Sequence, residues 1–205
     1  ERTEASHVVG NPETKTQLTE WVSYTCPACA NFSRNGEEVV KLAYVGPGKA
    51  KLEIRHVQRN IVDVAVTLAA WCGGADKFLQ NHSALMWRQD AWLEKARKAT
   101  PGQQQRWMSG PAATRRKAIA SDVDLYTIMQ SRGIDRNQLD RCLADDILAN
   151  RLTDASAADY TERGIASTPS FALDGEVIKG AHGWPQLAPL LSEATKPDLS
   201  GSLPK

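Results

Sequence analysis

Residues 17–29 read Gln17-Leu18-Thr19-Glu20-Trp21-Val22-Ser23-Tyr24-Thr25-Cys26-Pro27-Ala28-Cys29. Leu18, Trp21, Val22 and Tyr24 are apolar without clean alternation, which suits a central strand from Gln17 to Tyr24 covered on both faces. The cysteines sit between this strand and a helical run, and a helix that starts at Cys26 aims unpaired N–H groups and its positive dipole end at that sulfur. Thiolate is thereby favoured over thiol. Pro27 fits the first helical position because its missing N–H would have had no partner there. So small a ring removes little unfolded-state entropy, so the pair reads as a redox reagent rather than a brace. Half a zinc site is the competing reading, but Cys72 and Cys142 stand alone and His7, His56, His82 and His182 lack ligand spacing. No metal, nucleotide or flavin cofactor is expected.

The chain has 205 residues, 41% hydrophobic and 24% charged, with a formal net charge of +1. That length suits one domain with an insertion, and that charge gives no electrostatic case for nucleic acid or an anionic membrane surface. The run Arg115-Arg116-Lys117 reads as a solvated helix face. No apolar stretch is long enough to span a bilayer and no signal peptide is visible, so the opening at Glu1 reads as a mature or trimmed form. An even number of cysteines is compatible with an oxidising compartment.

The helix after the cysteines is expected to run towards Tyr44, with Gly46-Pro47-Gly48 as its break, and Lys51 to Val57 as the next strand, with Leu52, Ile54 and His56 on one side. Helical patterns then fill 62–72, 75–99, 103–109, 112–131, 136–144 and 146–163. Strand patterns return at Ser170 to Leu173 and Val177 to Lys179, joined by the hairpin signal Asp174-Gly175, and a last helix is expected from Trp184 to Ala194. The remaining tail, 196–205, is expected to be mobile. Trp71, Trp87, Trp92 and Trp107 are expected in the core of the helical region.

Three stretches together carry a resemblance: Ser23 to Cys29, Gly164-Ile165-Ala166-Ser167-Thr168-Pro169-Ser170-Phe171, and Gly175-Glu176-Val177-Ile178-Lys179-Gly180-Ala181. With them the chain resembles the DsbA-like thiol-disulfide oxidoreductases of the thioredoxin superfamily. The resemblance implies an α/β thioredoxin-like fold with a large all-helical insertion, divided into a βαβ half (7–61), the insertion (62–163) and a ββα half (164–195). It also implies that Cys26 is the nucleophile, Cys29 the resolving cysteine, Pro169 a cis proline beside them, and Thr168, Pro169, Pro27 and Ala28 the substrate-binding surface. The residues alone leave Thr168-Pro169 open to a plainer reading, a loop proline ending the preceding helix. An X-Pro opening to a strand also leaves an unpaired edge for an extended peptide.

Glu20 lies an even six residues before Cys26, on the same strand face, and matches an acidic residue that many family members bury beneath their cysteines. There its pKa would be raised and it could pass a proton to or from Cys29, whereas the plainer alternative is a solvated or salt-bridged glutamate. Ala28 stands where the best-known members have histidine, so Cys26 is expected to be less acidified than in the strongest oxidases. Cys72 and Cys142 read either as a bridge within the insertion or as two free buried cysteines. The oxidising compartment implied by the resemblance favours the bridge.

The expected function is oxidation of reduced or unfolded protein substrates in the periplasm or another extracytoplasmic oxidising compartment, with a membrane quinone-linked redox partner implied by the family. An isomerase or reductase would use the same pair, although the usual isomerase design adds an N-terminal dimerisation domain for which too few residues precede the first strand. The rival from another class is a chaperone-like peptide-binding module with incidental redox activity. A glutathione-dependent transferase is disfavoured because such relatives usually lack paired cysteines.

Overall fold

The computed structural model describes residues 1–196, so all but the first residue of the expected mobile tail lies outside the described residues. Five strands form one sheet in the order β1-β3-β2-β4-β5: β1 (Ser6–Val9), β2 (Gln17–Val22), β3 (Lys51–His56), β4 (Ser170–Leu173) and β5 (Glu176–Val177). β2 lies at the centre, parallel to β3 and antiparallel to β4, with Glu20 opposite Ile54 and Phe171. It is buried from Leu18 onward, as its unalternating apolar pattern requires. β3 alternates instead, burying Leu52, Ile54 and His56.

The helix that follows the cysteines is interrupted. It comprises α1 (Pro27–Phe32), a π-helical turn at Ser33–Glu37, α2 (Glu38–Val40) and a second π-helical turn at Lys41–Val45. Gly36 lies in the first wide turn, where a Cβ would stand 2.5 Å from the Phe32 ring and 3.0 Å from Trp184. Only glycine leaves room for that ring at this position. Between β3 and β4 come eight helices: α3 (Ile61–Trp71), α4 (Ala75–Trp87), α5 (Gln89–Arg97), α6 (Pro101–Met108), α7 (Ala112–Asp122), α8 (Leu125–Gln130), α9 (Arg136–Leu143) and α10 (Asp146–Arg163). A final helix, α11, spans Trp184–Ala194. The architecture is the thioredoxin-like α/β fold with its helical insertion.

Several elements differ from the sequence expectation. The first strand stops at Val22 because the chain turns at Ser23 to Thr25, and β5 occupies Glu176–Val177 rather than Val177 to Lys179. β1 is an additional edge strand, antiparallel to β3. The expected helix 75–99 divides at Arg88, and 112–131 divides at Asp124, whose left-handed φ of 62° cannot continue a helix. Trp87 is exposed while Trp71, Trp92 and Trp107 are buried. Arg116 is no solvated residue either: it is buried, its Nε donates to Leu143 O at 2.6 Å, and it pairs with Asp146. It supplies a partner for the carbonyl left open where α9 ends.

One disulfide, Cys72–Cys142, joins the end of α3 to α9 within the insertion, and Cys26 and Cys29 are free thiols. Among the described residues no helix is long and apolar enough to cross a membrane.

Candidate active site

Cys26 occupies the cap position before α1, in extended conformation, with Pro27 as the first helical residue. The backbone N–H of Cys29 donates to Cys26 O at 3.1 Å. Cys26 is only 5% exposed and Cys29 is fully buried, whereas Pro27 and Ala28 lie on the surface.

The turn leading to the cysteines is fixed from the insertion. Asp63, fully buried in the first turn of α3, accepts from Ser23 Oγ (3.0 Å), Thr25 N (2.9 Å), Thr25 Oγ1 (2.9 Å) and Arg59 N (3.0 Å). Burial pushes its pKa up, and these donors oppose that rise. From the start of α5 the buried Gln89 donates through Nε2 to Tyr24 O (2.7 Å) and Cys26 O (2.8 Å). Neither residue was singled out from the sequence. Asn60, which caps α3 three residues before Asp63, was the available signal for Asp63, and nothing local marks Gln89.

The Thr168–Pro169 peptide bond is cis and places Thr168 O 3.2 Å from Cys26 Sγ, the thiol donating. The Thr168 N–H donates to no protein group among the described residues, so its backbone edge is open. His182 Nδ1 lies 2.9 Å from Pro169 O, and as a donor it holds the loop from the other side. Beside Thr168 a cavity of about 270 Å³ is lined by Val57, Arg59, Tyr160 and Ile165. It is wide enough for one side chain of an extended peptide.

The Cys26 thiol is lowered from an ordinary 9.0 to about 5. Hydrogen bonding with Cys29 is the main cause, desolvation opposes it, and Thr168 and the backbone N–H groups of Cys29 and Ala28 add to it. The buried Thr168 hydroxyl makes no hydrogen bond within the described protein; the hydrogen bond of the Cys26 sulfur is to Thr168 O. Ala28 therefore assists through its main chain where its side chain cannot. Burial pushes the Cys29 thiol well up, and its hydrogen bond to Cys26 pushes the same way. The two sulfurs are thus driven apart in acidity, one towards thiolate and the other towards thiol.

Glu20 is buried, near enough for its charge to act on Cys29, and neither of its carboxylate oxygens has a hydrogen-bond partner. Burial raises its pKa well above 4.5, and the negative charge of Glu37 raises it further. Glu37 is also buried, and although burial acts to raise its pKa, His82 and Lys41 outweigh this and hold it at about 2. His82 Nε2 lies 3.1 Å from Glu37 Oε2, and His82 Nδ1 lies 2.9 Å from Tyr24 Oη. His7 and His56 are buried in the same region, His7 stacked on Phe78 at 3.6 Å and His56 facing Tyr24. Three of the four histidines scattered in the sequence therefore meet between the sheet and the insertion. Among the described residues no group of three or more His, Cys, Asp or Glu is arranged to hold a metal ion.

Replacing Glu20 by leucine is expected to stabilise the protein by about 1–3 kcal/mol at neutral pH, because it removes a buried carboxyl without partners. Above about pH 4.5 the native state retains a proton that the unfolded chain releases, so the contribution of Glu20 to wild-type stability falls as pH rises. The gap between Glu20→Leu and wild type should widen in that direction. Urea denaturation from pH 4 to 8 checks this, and a leucine variant less stable than wild type at pH 8 contradicts it.

The thioredoxin family profile matches residues 2–193. A solved structure named protein-disulfide isomerase, from Novosphingobium aromaticivorans, is 38% identical, covers 94% of this chain and 98% of its own, and superposes with a TM-score of 0.89. The DsbA protein α-DsbA1 of Wolbachia pipientis shares the fold at 16% identity, with a TM-score of 0.72 over 93% of this chain and 90% of that one. A Rickettsia typhi protein with the provisional name protein-disulfide oxidoreductase is 22% identical over 169 residues, 82% of this chain and 54% of the relative. The chain thus spans about half the length of the curated relatives it matches. From the profile match and the fold, the chain belongs to the thioredoxin family and carries the DsbA-like form of its fold.

Proposed function

We propose that this chain is a thiol-disulfide oxidoreductase that oxidises protein dithiols through the Cys26–Cys29 pair. The observation that carries the reading is the acidified Cys26 beside a buried Cys29, since stabilising the thiolate stabilises the reduced state and makes the disulfide the stronger oxidant. A substrate thiolate attacks Sγ of the oxidised Cys26, a substrate–Cys26 bond forms, and Cys29 departs as thiolate. Cys29 then takes up a proton, for which the buried Glu20 carboxyl is a suitable source. A second substrate thiolate attacks the substrate sulfur of the mixed disulfide and releases Cys26 as thiolate. Two electrons have moved from the substrate dithiol to the pair, and a separate oxidant, in this reading a membrane redox partner, must withdraw them.

The open Thr168 edge and its neighbouring cavity suit an extended segment of unfolded protein, with Pro27, Ala28 and Pro169 against it. The Cys72–Cys142 disulfide supports an oxidising compartment such as the periplasm. The name of the Novosphingobium relative favours a second reading, isomerisation, in which reduced Cys26 attacks a wrong substrate disulfide.

Equilibration of the pair with glutathione buffers tests the direction. A reduction potential more positive than about −180 mV, towards the roughly −120 mV of a strong dithiol oxidant, supports oxidation. A potential near the roughly −270 mV of thioredoxin overturns it and leaves a reductase or isomerase kept reduced by a partner.

A further inference from the structure

Trp87, the last residue of α4, is 51% exposed. It lines a recess of about 410 Å³ whose apolar wall includes Leu79 and Ala84 and whose charged residues are Lys41, Arg88 and Arg132. No carboxylate lines it. Arg88 and Arg132 form no ion pair among the described residues. Arg88 Nη1 reaches only Ser131 Oγ, at 3.4 Å, while Arg132 Nη2 donates to Gln80 Oε1 at 2.7 Å and its buried Nε has no partner. Lys41 pairs with Glu37 and Glu38 of its own helical run. A second recess beside Trp87 shares Arg88 with this one but balances Arg88 and Lys95 against Asp90 and Asp124, so the unopposed cationic lining belongs to the first recess. In a chain of net charge +1, this concentration is local rather than a reflection of bulk charge.

We propose that this recess docks a segment of a partner protein that carries carboxylate side chains beside apolar ones. Two guanidiniums without acidic partners offer forked donors to carboxylates, and an exposed tryptophan over an apolar wall supplies the contact area around them. Tryptophan and arginine are the side chains that most often dominate the energy of protein interfaces. The position is also connected to the cysteines. Arg88 adjoins Gln89, which holds Cys26 O, and Lys41 lies fifteen residues along the helical run from Cys26. At about 1.5 Å per residue that is roughly 22 Å, a span covered by about seven extended residues. One partner segment can therefore reach the recess and present a cysteine to Cys26.

The test does not depend on the redox direction. A fluorescent peptide alternating glutamate and leucine, with glutamine–leucine and lysine–leucine counterparts, is titrated against the full chain at low and high salt and followed by anisotropy. The acidic peptide is expected to bind at least about tenfold more tightly than the glutamine peptide and to weaken as salt rises. Arg88→Glu and Trp87→Ala should each weaken it by at least about fivefold. Circular dichroism checks that each variant is folded, and Arg88→Gln gives the same readout if the charge reversal disturbs the helix junction. Absence of binding, equal binding of the glutamine peptide, or binding indifferent to both Arg88 and Trp87 overturns the proposal.

Discussion

Replacing Cys26 with serine is expected to slow thiol–disulfide exchange by about three orders of magnitude or more and to abolish the low-pH thiolate absorbance. The more discriminating comparison is at the second cysteine. Hydrogen bonding with Cys29 is the main cause of the low Cys26 pKa, so Cys29→Ala removes a donor that Cys29→Ser retains as a hydroxyl. Wild type should titrate near 5, Cys29→Ala should rise towards the ordinary 9.0, and Cys29→Ser should lie between them. Both variants lack the resolving thiol and should accumulate mixed disulfides with substrate. A Cys29→Ala variant that still titrates near 5 would show that the main chain and Thr168 suffice.

The same acidity carries a stability signature. The folded Cys26 thiol is depressed, so the stability it gives the reduced protein is complete above its ordinary pKa of 9.0 and is lost as pH falls to about 5. Thermal melts of the reduced wild type and of Cys26→Ser across that window should differ by this slope, the gap in favour of wild type growing as pH rises from about 5 to 9.

The second large effect is expected at the disulfide of the insertion. Cys72 and Cys142 are separated by 70 residues, and closing a loop of that length stabilises the folded state by roughly 4 kcal/mol in the loop-entropy picture. The double replacement Cys72→Ala, Cys142→Ala should cost about that much, a fall in Tm of about 8–16 °C for a chain of this size. Calorimetry of the variant beside wild type provides the check. Thiolate titration of Cys26 should stay near 5, because neither residue touches the redox pair. A loss below about 1 kcal/mol would mean that packing in the insertion, not loop closure, holds α3 to α9.

What the sequence revealed and what it hid divide along contact range. The unalternating apolar run at Leu18 to Tyr24, the Cys-Pro-Ala-Cys turn, and Asp174-Gly175 are local signals, and each lies in or directly beside the element it announces. Glu20 was legible because strand periodicity is local too. Asp63, Gln89 and His82 were not, because they come to the site from three different helices of the insertion and their partners lie 38 to 65 residues away. β1 escaped because its four residues pair only at an edge, within a polar lead-in. Trp87 and Arg116 were misread for one reason: residue type indicates a side chain's preference, but the angle at which helices meet decides its exposure.

Asp63 and Gln89 give the active-site turn its shape, yet both belong to the segment inserted into the redox fold. An incompletely synthesised or partly folded chain would carry both cysteines without the contacts that hold the turn before them. The shape of the redox turn is therefore a tertiary property: it is complete only when the inserted helices have packed against the sheet that carries the cysteines.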